Sequence, residues 1–89
     1  MKATLIALTL ATLSTAAMAG PECTTEPKDK WMPEASMKHK LEADGYRIKV
    51  FKTTKGNCYE IYGWDKQNQK VEIYFNPVDG KIVKQVNEK

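Results

Sequence analysis

The chain has a single histidine and only two cysteines among its 89 residues. Each scarcity removes a class of function. His39 stands between Lys38 and Lys40, in a segment with helical character. Ser36 lies three residues before it, but no third group completes a nucleophilic triad. It reads as a solvated helix position and not as a general base, which would need a partner in reach. No Gly-rich phosphate loop and no cluster with metal-ligand spacing occurs. The cysteines, Cys23 and Cys58, are far from the close Cys-x-x-Cys pair of redox catalysis, and a zinc site would need more ligands. The acidic residues are spread singly. We therefore expect no enzyme activity, no cofactor and no bound metal.

Charge of one sign is also not concentrated anywhere. The sequence carries 14 basic and 11 acidic residues, intermixed along its length. This is a solubility charge and lacks the basic stripe of a nucleic-acid binder. Long apolar runs are limited to the N-terminus. There Met1-Lys2 precedes an apolar and small-residue stretch, residues 3–17, and then Ala17-Met18-Ala19. That order is the plan of a secretory signal peptide, with cleavage expected after Ala19. The apolar part falls short of the roughly 20 residues that span a bilayer. Residues 20–89 are then a single domain of about 70 residues. It is expected in the periplasm or outside the cell, without a membrane anchor once the leader is gone.

A domain of that size has a small core and often needs a covalent staple. An exported chain meets oxidising conditions, so a Cys23–Cys58 disulfide is expected. It would close a loop of about 36 residues, a stabilisation of roughly 3–4 kcal/mol in the chain-entropy model. Residues 20–30, with two prolines, read as an extended arm without a helix or strand of its own.

One helix is expected over residues 33–44. Pro33 suits the first helical position, Glu34 the first turn, and Gly45 the left-handed stop. Met37 and Leu41 form its narrow apolar stripe, so it must dock on something to be stable. Strands follow at 46–54, 57–65 and 70–76, with a short fourth over 81–86. Closely spaced strands after one helix predict an α+β fold, a helix packed on a three- to four-stranded antiparallel sheet.

Alternation then sets a register. A two-residue Lys55-Gly56 turn pairs Thr54 with Asn57, Val50 with Ile61 and Ile48 with Gly63. A five-residue loop pairs Ile61 with Ile73 and Trp64 with Lys70. The expected core is Met37, Leu41, Ile48, Val50, Tyr59, Ile61, Val71, Ile73 and Phe75, with Gly63 leaving room for the helix. The opposite face gains three rows: Phe51–Glu60–Tyr74, Lys49–Tyr62–Glu72 and Arg47–Trp64–Lys70. Cys58 lies on that face, so the disulfide should draw the arm toward it. Phe51, Tyr62, Trp64 and Tyr74, with Arg47 and Lys49 beside them, form the candidate protein-binding surface, because aromatic residues anchor such contacts. The same rows could serve only to stiffen the sheet.

Three stretches carry a family resemblance. They are Gly45-Tyr46 after the helix, Cys58-Tyr59-Glu60-Ile61 in the second strand, and residues 71–81, "VEIYFNPVDGK". With the helix before them, they resemble the PepSY domain family, in particular its small single-domain exported members. The resemblance runs over residues 31–84. Family members usually show Asp-Pro-x-Thr-Gly in the last turn; Asn76 and Asp79 stand here for the Asp and Thr. Both suit turns, since their side chains bond nearby backbone. The resemblance implies a helix on an antiparallel sheet. It also implies a role in restraining peptidases, and no inhibitory residue carries over from it. The expected function is a non-catalytic module that contacts a protein partner, with a peptidase as the implied candidate. The alternatives are a small-molecule or signal-sensing accessory protein, and an envelope-stress or structural protein.

Overall fold

A computed structural model describes residues 20–88. The leader and its cleavage site lie outside the described residues. In chain order come a 3₁₀ turn (Lys28–Lys30), helix α1 (Glu34–Ala43), and strands β1 (Arg47–Thr53), β2 (Tyr59–Trp64), β3 (Lys70–Phe75) and β4 (Ile82–Glu88). The strands form one antiparallel sheet in the order β1-β2-β3-β4. The α+β architecture is the one expected, with all four strands present.

Local chemistry explains the ends of α1. Pro33 caps the helix instead of opening it: its backbone is extended, and its carbonyl accepts the Met37 amide at 3.0 Å. At the other end Gly45 adopts φ +101°. The Gly45 amide then bonds the Glu42 carbonyl at 3.0 Å, and the Tyr46 amide bonds that of Leu41 at 3.1 Å. This paired closure satisfies carbonyls that a bare helix end would leave open. Met37 and Leu41 are the buried residues of α1. They join Tyr59, Ile61, Val71, Ile73 and Phe75 in the core, with Trp31, Met32, Tyr46, Ile48 and Phe51 packed around it.

The turn chemistry after β3 follows the expected pattern. The Asn76 side chain accepts the Val78 amide, and the Asp79 side chain accepts that of Lys81, each at 2.9 Å. Between β2 and β3, Asp65 accepts the Gln67 and Gln69 amides with one carboxylate oxygen. That five-residue loop yields the expected pairs Ile61 with Ile73 and Trp64 with Lys70.

The β1–β2 connection differs from expectation, and the difference matters. The turn is longer than two residues: Asn57 is left-handed (φ +63°), and the Thr54 amide bonds the Cys58 carbonyl. Thr53 therefore pairs with Tyr59, and Phe51, not Val50, pairs with Ile61. A bulge between Ile48 and Val50 absorbs the extra residue, so Ile48 still faces Gly63 and Arg47 still faces Trp64. Alternation alone did not distinguish the two settings, because Val50 and Phe51 are adjacent and both apolar. The structure turns the larger residue inward, which removes more apolar surface from water. Phe51 packs on Tyr59 with ring centroids 5.0 Å apart, while Val50 is 40% exposed. Val50 thus leaves the expected core, and Phe51 leaves the expected binding face. Gly63 also has a different reason from the one anticipated. A side chain there would strike the Arg47 carbonyl of β1, so the close neighbour is strand backbone and not the helix.

The arm makes more structure than expected, since it includes the Lys28–Lys30 turn. It crosses the end of the sheet from one face to the other. Cys23 is disulfide-bonded to Cys58, as anticipated. Around the bridge, the Cys23 amide bonds the Gly56 carbonyl, and the Asn57 and Asn76 side chains bond the Thr24 and Cys23 carbonyls. Further on, the Met32 amide bonds the Pro77 carbonyl, and the Tyr59 hydroxyl donates to the Met32 carbonyl. These bonds bring the chain to the start of α1 on the core face.

Candidate functional site

The sheet face away from α1 holds the candidate site. Its rows follow from the observed register. Lys52, Glu60, Tyr74 and Lys84 make one row; Val50, Tyr62, Glu72 and Val86 the next; Arg47, Trp64, Lys70 and Glu88 the third. The row with Trp64 is the one expected. In the other two, Lys52 replaces Phe51 and Val50 replaces Lys49.

The first two rows close into a polar cluster. The Tyr62 and Tyr74 hydroxyls both donate to Oε2 of Glu72, at 3.0 and 2.8 Å. Glu60 is only 3% exposed and Tyr74 only 7%. Gly20, at the start of the described arm, lies against the Tyr74 ring, where a Cβ would come within 2.6 Å. Lys52 Nζ stands 3.8 Å from Glu60 Oε1. Burial holds the Glu60 carboxyl above the usual carboxylate range, and a hydrogen bond to Glu72 adds to this. That same bond, with those from the two tyrosines, holds Glu72 below its usual range, against the opposing effect of burial. The two carboxyls are thus shifted apart, Glu60 up and Glu72 down. The hydrogen bond to Glu72 and partial burial push the Tyr62 hydroxyl up to about 12. Burial, followed by the bond to Glu72, raises Tyr74 as well.

The far end of the face is different. The Arg47 guanidinium lies 4.7 Å from the centroid of the Trp64 ring and bonds the Asn68 side chain. Beside them is a recess of about 170 Å³ lined by Lys49, Tyr62, Gly63, Trp64, Lys70, Val71 and Glu88. Lys49, the extra residue of the bulge, therefore reaches the open face as expected. Arg47 stacks on the Trp64 ring, and Lys49, Lys70 and the acidic Glu88 line the recess beside it.

The six residues expected to form a binding surface are thus divided. Arg47, Lys49, Tyr62 and Trp64 come together. Tyr74 is covered by the arm, and Phe51 lies on the core face. The Glu60–Glu72 pair was not singled out as a site. Its signal was present in the rows, where Glu60 opposite Tyr74 and Tyr62 opposite Glu72 make the carboxyls diagonal neighbours. His39 is exposed on α1. Among the described residues, no group of three or more His, Cys, Asp or Glu side chains is placed to hold a metal ion.

No curated protein and no solved structure matches the chain. The model of the peptidase propeptide and YPEB domain family (PepSY_2) matches residues 3–86, nearly the full length. The helix packed on an antiparallel sheet is what the resemblance carried by Gly45-Tyr46 and the Asn-Pro-Val-Asp-Gly turn implied, and the chain belongs to this PepSY family.

Proposed function

We propose that the protein is a non-catalytic binding module that engages a peptidase through the Trp64 end of its open sheet face. The observation that carries the reading is the Arg47–Trp64 stack beside Tyr62, Lys49 and the recess. A half-buried tryptophan under a guanidinium is already positioned, so a partner orders little on binding it. The partner class rests on the family, whose description names peptidase propeptides. The polar cluster is, in this reading, scaffold: its hydroxyls and carboxyls satisfy one another beneath the arm.

A small-molecule sensor is less well supported. Ligand pockets commonly measure about 300–1,000 Å³. The recess, at about 170 Å³, is smaller than that, and the adjoining groove of about 500 Å³ along Trp64, Asn68, Gln69, Lys70, Asn87 and Glu88 is lined mostly by polar residues and open to solvent. The leader-like N-terminus supports action in the periplasm or outside the cell. Among the described residues, no helix is long and apolar enough to cross a membrane.

The test uses the oxidised chain from Gly20 onward, titrated into the peptidase activity of envelope and secreted fractions. The unaltered protein should lower that activity in a saturable manner. Trp64→Ala should remain folded and require at least about tenfold more protein, the loss of one anchor residue. Unchanged activity with the unaltered protein would refute the reading, as would equal potency of the variant.

A further inference from the structure

The two edges of the sheet are unlike. β1 carries Arg47, Lys49 and Lys52 and is interrupted by a bulge, both of which discourage pairing with another strand. β4 has little such protection. All seven of its residues are exposed, including Ile82 (48%), Val83 (43%) and Val86 (38%). Its irregularity lies at the start, near Ile82, and pairing with β3 is regular from Lys84 to Glu88. One side of β4 is bonded to β3, and among the described residues the other is the free edge of the sheet.

We propose that β4 is a self-association edge, pairing antiparallel with β4 of a second copy about a twofold axis at Val86. The charge pattern selects both the occupant and the register. Lys84, Val86 and Glu88 lie opposite Tyr74, Glu72 and Lys70, so they share the open face. An axis perpendicular to the sheet keeps the open faces of both copies on the same side. With the axis at Val86, the two valines meet, and Gln85 faces the partner's Asn87. Lys84 faces the partner's Glu88, and the pair occurs twice by symmetry. The neighbouring settings lack this match. An axis at Lys84 sets the two lysines against each other, which is repulsive. An axis at Gln85 sets Lys84 against the partner's Val86, and one at Asn87 sets Val86 against the partner's Glu88. In the Val86 setting Glu88 would lie between its own chain's Lys70 and the partner's Lys84. A β1 edge meeting β4 would instead be head-to-tail and would leave further edges open.

The pairing buries few side chains and depends on exposed charges, so the dimer fraction should rise with concentration and fall with added salt. Charge exchange tests it on the oxidised chain from Gly20 onward, by light scattering after gel filtration. Lys84→Glu alone places Glu against the partner's Glu88. Glu88→Lys alone places Lys against the partner's Lys84. Each should be monomeric where the unaltered protein dimerises, and an equimolar mixture of the two should recover a dimer of one chain of each. Circular dichroism checks that both variants are folded. If either does not fold, amide exchange of the unaltered protein decides: the outward amides of β4 should gain protection as concentration rises, and lose it in high salt. A monomer at every soluble concentration overturns the proposal. So does a dimer that both single variants retain, a mixture that stays monomeric, or β4 protection that ignores concentration.

Discussion

β2 and β3 are buried from both sides, and the two covers work on different principles. On one side α1 places Met37 and Leu41 on Ile61, Val71, Ile73 and Phe75. On the other side the start of the arm lies near Tyr74, over a cluster of two carboxyls and two phenols. The first contact is held by apolar area, which needs no precise geometry. The second has little apolar area to gain, so its polar groups must find partners in one another. A cover of that kind is held in place by backbone bonds and by the disulfide at Cys58. The contrast teaches that the helix is needed to make the fold, while the arm shields a cluster the fold could otherwise expose to water.

The largest effect should come from the helix side. Phe75 is among the largest fully buried side chains, in contact with the apolar cluster. Phe75→Ala should cost about 3–5 kcal/mol, from lost transfer energy and the cavity left behind. Urea denaturation measures it as a drop in the midpoint at nearly constant slope. A loss below that of any change on the arm side would break the comparison, because it would show that the apolar cover is not dominant.

Next in size is the staple of the other cover. Replacing Cys23 and Cys58 together by Ala should cost about 2–4 kcal/mol, since the unfolded chain gains the freedom that the bridge had removed. The change should be local as well. With the arm free, amides of residues 22–24 should exchange quickly, while those of α1 and the centre of β3 remain protected until global unfolding. If α1 loses its protection at the same rate, the two covers are one cooperative unit and the contrast fails.

How much of this was legible in the sequence differs between the covers in the same way. Met37, Leu41, Ile61, Val71, Ile73 and Phe75 could be placed from periodicity, because burial on one face imposes alternation. The disulfide followed from compartment and chain length. Phe51 and Val50 could not be assigned with certainty, because a longer turn and a bulge exchange two adjacent apolar residues without disturbing the pattern. The binding surface inherited that shift, so Phe51 was placed on the wrong face. Tyr74 was placed on the right face, but the sequence left open whether the arm drawn toward that face would cover it. An arm without regular structure makes its contacts through backbone carbonyls and amides, and these leave no periodic trace.

The acid cluster offers a third comparison through pH. Glu60 has a raised pKa in the folded chain, so between the ordinary carboxylate range and that raised value the folded state holds a proton the unfolded state has released. Stability therefore falls as pH rises through this window, and then levels off. Glu72 is lowered, so its contribution is present above the ordinary range and is lost as pH falls toward its folded value. The pair together places the stability maximum of this side near the ordinary carboxylate range, with a fall on each flank. Glu60→Gln keeps an N–H donor for Glu72 and cannot release a proton. It should flatten the alkaline flank and leave the acid flank in place, read as urea midpoints across the pH series. Parallel profiles for the variant and the unaltered protein would show that Glu60 does not hold the proton. Phe75→Ala, on the helix side, removes no ionisable group and should shift the whole profile down without changing its shape.

The smallest change sharpens the comparison most, because it removes one atom. Tyr62→Phe deletes the hydroxyl that donates to Glu72 Oε2 and keeps the ring. Glu72 retains the Tyr74 hydroxyl on the same oxygen at 2.8 Å, so its carboxylate is not left bare. Tyr62 is also half-buried, and water can replace part of the lost bond. The cost should then be about 0.5–1.5 kcal/mol, the net value of one hydrogen bond. Tyr74→Phe provides the control, since Tyr74 is buried beneath Gly20 and water has less access to its oxygen. It should cost more than Tyr62→Phe, although the two bonds share one acceptor. Equal costs would mean that water reaches both hydroxyls alike, and that the arm is not the cover that distinguishes this side of the sheet.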